Sequence, residues 1–230
     1  MGETMSIRNL HVLILVSVAY VAAQMVADIS NLRDLALFGF GVSAFSIAYP
    51  LTFTLRDMAH KLAGPHVART LIIAAAVIYL IAQAFFAIIS SLPPEMTPEE
   101  SVAIGQLLTP EWRFLLAAVV ASVLSQLVDT EVYTRWVDRF GGEHQWGRVL
   151  VSNLIGIPLD RILFLLIAFA GSMSGEMLWD FFWGTTIVRL IFGFILIPGI
   201  YLVEEHSEDW VHIAEIRHTD PPSFARAKNK

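Results

Sequence analysis

Long apolar runs, separated by short polar breaks, dominate this chain from Leu10 to Val203. A bilayer core is ~30 Å thick, and a helix rising 1.5 Å per residue crosses it with ~20 apolar residues. Six runs approach or exceed that length: Leu10–Ala27, about 41–62, Val67–Ile89, Phe114–Val137, Val149–Phe169 and Met177–Val203. Leu35–Phe40 reads as an interfacial lead-in to the second. The first run is too long for a signal-peptide core and no small-x-small cleavage site follows it, so it is read as a span.

The breaks carry turn chemistry. Asp28–Asp34 separates the first two runs, and Gly64-Pro65 ends the second, since Gly accepts a left-handed cap and Pro cannot continue a helix. The longest connector, Ser90–Trp112, holds four prolines and the acids Glu95, Glu99, Glu100 and Glu111. Gly141-Gly142 and the segment Gly171–Gly175 make the last two breaks. The expected domain is a six-helix transmembrane unit over 1–203. A polar tail follows over 204–230, with Ser207 as N-cap of a short interfacial helix or with no helix at all.

Composition agrees with this pattern and removes the alternatives. The 230 residues are 56% hydrophobic and 16% charged, with a mean hydropathy of +0.62. Soluble domains are ~25% charged. A net charge of -6 argues against direct nucleic-acid binding, and the absence of cysteine removes disulfides, thiolate metal sites and cysteine nucleophiles. Lys and Arg set orientation. With six spans, Arg8, Lys61, Arg69, Arg135, Arg139, Arg148 and the tail bases fall on one side, against Arg33 and Arg113 on the other. Both termini are therefore expected in the cytoplasm.

Several charges fall inside the spans, where each costs ~2.5–3.5 kcal/mol at mid-membrane unless paired or hydrated. Arg56 and Asp57 lie in the second run, Gln126, Asp129 and Glu131 in the fourth, Asn153, Asp160 and Arg161 in the fifth, and Arg189 in the sixth. Helical spacing puts Gln126, Asp129 and Tyr133 on one face, and Ser152, Gly156 and Asp160 on another. Gln126, Asp160 and Arg189 lie near mid-span, which points to a central polar site; ion pairs that only fix helix register are the competing reading. Arg56 and Glu131 are expected to snorkel toward the cytoplasmic interface. Pro50, Pro158 and Pro198 are read as local interruptions.

All six tryptophans fall near span ends, as in an interfacial belt. Phe45, Tyr49, Phe53 and Phe164 lie deeper and either pack the bundle or stack on a planar ligand. No phosphate loop, dinucleotide fingerprint or zinc-protease motif is present. Neither metal nor cofactor is expected, and no nucleophile accompanies the acids, so a membrane-embedded enzyme is disfavoured.

Four segments resemble the VUT family of queuosine precursor transporters. They are Pro50, Asp57 and Gly64; Gln126-Leu-Val-Asp129 with Tyr133 and Arg135; Arg148, Ser152, Asp160 and Ile167–Gly171; and Arg189 nine residues before Pro198. The chain departs from the family pattern at Arg56, His60-Lys61, Ala63 and Arg161. The resemblance implies an all-α, six-helix protein of the inner (plasma) membrane, similar to the S-components of energy-coupling-factor transporters. It implies import of 7-cyano-7-deazaguanine or a related 7-deazapurine for tRNA modification, with no enzymatic activity.

The alternative is a substrate-binding subunit driven by a partner ATPase, for which Ala19-x-x-x-Ala23 is a weak docking feature. A homodimer is also left open. Candidate substrate-binding residues are Tyr49, Phe53, Asp57, Gln126, Asp129, Asn153, Asp160, Arg161 and Arg189. Asp129 or Asp160 is expected to accept the paired N–H donors of a guanine-like edge.

Overall fold

The computed structural model describes residues 7–37, 39–93, 95, 97–109, 111–140 and 145–204. The Gly141-Gly142 break, His144 and the expected tail helix lie outside them. Helix α1 spans Ile7–Ser30, α2 Phe45–Ala48, α3 Pro50–Ser91, α4 Pro98–Leu108, α5 Trp112–Phe140, α6 Gln145–Phe169 and α7 Gly175–Leu196. A 3-10 helix, Ile197–Leu202, continues α7. Among the described residues, five helical stretches are long and apolar enough to cross a bilayer: Ile7–Ser30, Phe45–Ser91, Trp112–Phe140, Gln145–Phe169 and Gly175–Leu202.

The stretch over 45–91 is broken rather than straight. Gly64 sits at φ 81° and ψ 176°, a conformation that interrupts the helix and favours glycine, and Pro65 follows it. Tyr49 and Tyr79 line one cavity, whereas a straight helix would hold them ~45 Å apart. The chain therefore doubles back at Gly64, and both arms of α3 pack on α1. Near the break, Val16 of α1 clusters with Leu62 and Ala63, with Val67 and Leu71 against them. At the other end, Ala27 clusters with Tyr49 and Phe53 of the first arm.

Other segments differ from the sequence expectation. In place of an interfacial lead-in, Leu35–Leu37 and Phe40 belong to an antiparallel pair, β1 (Asp34–Leu37) with β2 (Phe40–Ser43). The long connector contains α4, closed at its start by a reciprocal capping box between Thr97 and Glu100. Pro158 lies inside α6 without ending it, while Pro50 occupies the first turn of α3, where its missing N–H is not needed.

Polarity is arranged inward. Leu15, Ile81, Phe85, Leu166 and Ile195 are among the exposed large apolar side chains, while Arg56, Asp57, Gln126, Asp129 and Arg189 are buried. Water would not tolerate that arrangement, but lipid rewards it. Long basic side chains also close the bundle. Lys61 donates to Gln145 Oε1 at 2.7 Å and to the carbonyls of Ile200 and Val203 at 3.0 and 2.6 Å. Arg113 caps the end of α6 through the carbonyls of Ile167 and Ala170.

Candidate functional site

A cavity of about 830 Å³ opens between α1, the second arm of α3, α5, α6 and α7. That volume lies within the ~300–1,000 Å³ typical of small-molecule sites. Its polar wall is built around Asp160 of α6 and Arg189 of α7, which form a buried ion pair. The Arg189 guanidinium lies 4.8 Å from the Phe45 ring centroid and 4.9 Å from that of Tyr49. Those two rings stack at 4.5 Å and 22°. They are four residues apart across the α2–α3 junction, which places them on one helical face.

The Tyr49 hydroxyl lies 3.0 Å from Ser122 Oγ and 3.3 Å from Asp160 Oδ1. Gln126 donates to Ser122 Oγ at 2.9 Å and accepts from the Tyr20 hydroxyl at 2.8 Å. Helices α1, α5, α6 and α7 and the α2–α3 junction are thus joined through one polar network at the cavity wall.

A second charged cluster lies in the helix interfaces. Arg56 bonds Asp57 Oδ1 through Nε at 3.1 Å and Nη2 at 2.6 Å, and its Nη2 also pairs with Asp129 of α5. All three side chains are fully buried. The expectation that Arg56 snorkels to the interface is therefore overturned: two carboxylates within reach hold it inside more strongly than solvent draws it out. Glu131 behaves differently. It is half-exposed and pairs with Arg69 and Arg135. Asp129 Oδ1 rests against Gly156 of α6, where a Cβ would meet it at 2.6 Å.

The nine sequence candidates thus divide. Tyr49, Asp160, Arg161 and Arg189 line the cavity. Gln126 stands behind the wall and holds Tyr20 and Ser122 in place. Phe53 packs edge-on against Tyr49 at 5.3 Å. Asp57 and Asp129 belong to the Arg56 cluster, and Asn153 is buried between helices. Neither Asp129 nor Asp160 is free of a guanidinium partner.

Sequence reasoning passed over the α1 contribution. Tyr20, Gln24 and Asp28 all line the cavity, and their four-residue spacing puts them on one face of α1. The spacing is legible in the sequence, but the apolar run stops at Ala27, whereas α1 continues to Ser30 and carries Asp28 into the cavity wall. Among the described residues, Asp28 Oδ2 and Gln24 Oε1 are buried without a hydrogen-bond partner. No group of three His, Asp or Glu side chains gathers among them to hold a metal.

Of the pair offered for docking an ATPase partner, Ala23 is buried in the bundle and Ala19 is half-buried. No curated protein and no solved structure matches the chain significantly. The family described as "Putative vitamin uptake transporter" matches residues 43–203, from the end of β2 to just past the 3-10 helix. That match covers well over half of the chain, and with the apolar helices and the polar cavity it makes the protein a multi-pass membrane transporter: the chain belongs to the vitamin uptake transporter, or VUT, family.

Proposed function

We propose that this protein imports a queuosine precursor, 7-cyano-7-deazaguanine or a related 7-deazapurine, across the plasma membrane. The observation that carries the reading is the join of an aromatic stack and a hydrogen-bonding wall in one cavity. The Phe45–Tyr49 stack offers an aromatic surface for a planar heterocycle, and Asp160, Arg189, Ser122 and Tyr20 surround it with polar groups. Desolvating such a ligand is offset only where its donors and acceptors find partners. Asp28 supplies what Asp129 and Asp160 do not: a cavity-lining carboxylate oxygen without a partner among the described residues. We assign it the paired N–H donors of the guanine-like edge.

In this reading Tyr49, Asp28, Asp160, Arg161 and Arg189 contact substrate. Gln126 and Phe53 position them, and Asp57, Asp129 and Asn153 hold the helices. The doubling-back of α3 supports six crossings, with both termini in the cytoplasm and α4 outside. The likeness of the VUT pattern to energy-coupling-factor S-components bears on the same architecture.

The test is uptake of labelled 7-cyano-7-deazaguanine by cells that cannot make it, with tRNA queuosine as readout. Expression should restore both, and Asp28→Ala should abolish both. Unrestored uptake with the protein present in the membrane would reject the substrate.

A further inference from the structure

We infer that Arg161 is an acceptor-selecting residue: it binds an anionic or strongly hydrogen-bond-accepting substituent of the ligand and excludes a cationic one. The inference rests on the reading that this cavity is the transport site, but not on the deazapurine assignment.

Two guanidiniums, Arg161 and Arg189, stand beside one carboxylate, Asp160. Arg189 takes that carboxylate, and Tyr49 and Ser125 lie beside its other oxygen. Arg161 is left over. It lines the cavity and is only 5% exposed, and its Nε finds no hydrogen-bond partner among the described residues. Its one ring contact is with Phe164, at 5.2 Å from the centroid.

A ring face stabilises a buried cation but satisfies none of the guanidinium's five N–H donors. Arg56 shows the contrast within the same molecule, since two carboxylates surround it. A buried, uncompensated guanidinium costs stability unless something supplies the missing acceptors. Here the open side is the cavity, so the ligand is the supplier. Asp28 lines the same cavity with a carboxyl group. A ligand with donors on one edge and an acceptor or anion elsewhere would satisfy both residues. An ammonium substituent against Arg161 would meet a like charge in a low-dielectric wall and be rejected.

Matched ligands test this on the full-length protein, read by thermal shift in detergent and by competition for uptake in cells. One set is 7-deazaguanine bearing carboxylate, nitrile or aminomethyl at position 7. The second is pterin bearing carboxylate or aminomethyl at position 6. The acceptor-bearing members should bind at least about tenfold more tightly than their aminomethyl counterparts, as expected for a charge-assisted hydrogen bond. Arg161→Met should erase that preference, and Arg161→Lys should retain most of it.

Without ligand, Arg161→Met should melt no lower than the parent, because the nearby Asp160 carboxylate is already taken by Arg189. Equal binding of the aminomethyl compounds, or a preference unchanged in Arg161→Met, would overturn the inference. Discrimination among pterins with no deazaguanine bound would reject the proposed substrate and leave the role of Arg161 standing.

Discussion

Arg189 and Asp160, on adjacent helices, form a buried ion pair whose guanidinium also covers the stacked rings of Phe45 and Tyr49. Charge and aromatic surface are therefore mechanically one unit. Removing one member strands the other. Asp160→Asn should lower stability by about 3 kcal/mol or more, because Arg189 joins Arg161 as an uncompensated cation. The double variant Asp160→Asn/Arg189→Met should recover most of that loss while staying inactive in uptake. Thermal denaturation in detergent beside an uptake assay separates the two effects; additive losses in the double variant would contradict the pairing.

Arg56 links the first arm of α3 to α5 by holding Asp57 and Asp129 together. Arg56→Met leaves two buried carboxylates facing each other and should destabilise by about 3–5 kcal/mol. Adding Asp57→Asn and Asp129→Asn should restore folding, since neutral amides can bond one another and repel nothing. The readout is the fraction of monodisperse protein after heating. Because this cluster lies outside the cavity, the triple variant should keep measurable ligand binding.

Close helix packing makes Gly156 sensitive. A Cβ there would approach Asp129 Oδ1 to 2.6 Å and its Cβ to 2.9 Å. Gly156→Ala should therefore push α5 from α6 at a cost of about 1–3 kcal/mol. Gly105, in α4, has nothing within 4 Å of the equivalent position. Gly105→Ala should be neutral or stabilising by up to ~1 kcal/mol, because alanine is the better helix former. Comparing the two melting temperatures distinguishes steric contact from helix propensity.

The start of α4, outside the candidate spans, should respond to acid. The Thr97 hydroxyl and backbone N–H both donate to Glu100 and hold its carboxyl below its ordinary value of 4.5. A depressed folded value means the stabilisation is complete above pH 4.5 and fades as pH falls below it toward the folded value. Hydrogen exchange of the α4 amides, corrected for intrinsic rate, should show protection falling over that interval. Glu100→Gln should remove the pH dependence.

Much of this architecture was legible in the sequence because hydropathy and helix breakers act locally. The break at Gly64-Pro65 is an example: a positive-φ glycine followed by proline interrupts a helix whatever surrounds it. Helix α4 was missed because a connector rich in proline and acid reads as loop, although Thr97-Pro98-Glu99-Glu100 is a helix-start signature. Arg56 was misplaced because depth along a helix says nothing about which neighbour turns toward it. Asp28 was overlooked because one extra turn of α1 carries it from a connector into the cavity wall.

By itself, the sequence determined that the chain lives in a membrane, approximately where its helices run, and that Gln126, Asp160 and Arg189 occupy similar depths. These are properties of apolar length and helical period. Only the tertiary structure decided which charge meets which. Pairing depends on the rotation and approach of whole helices, set by contacts as particular as Gly156 against Asp129. That arrangement gave two acids to Arg56, gave Asp160 to Arg189, and left Arg161 with no ion pair of its own among the described residues at the cavity.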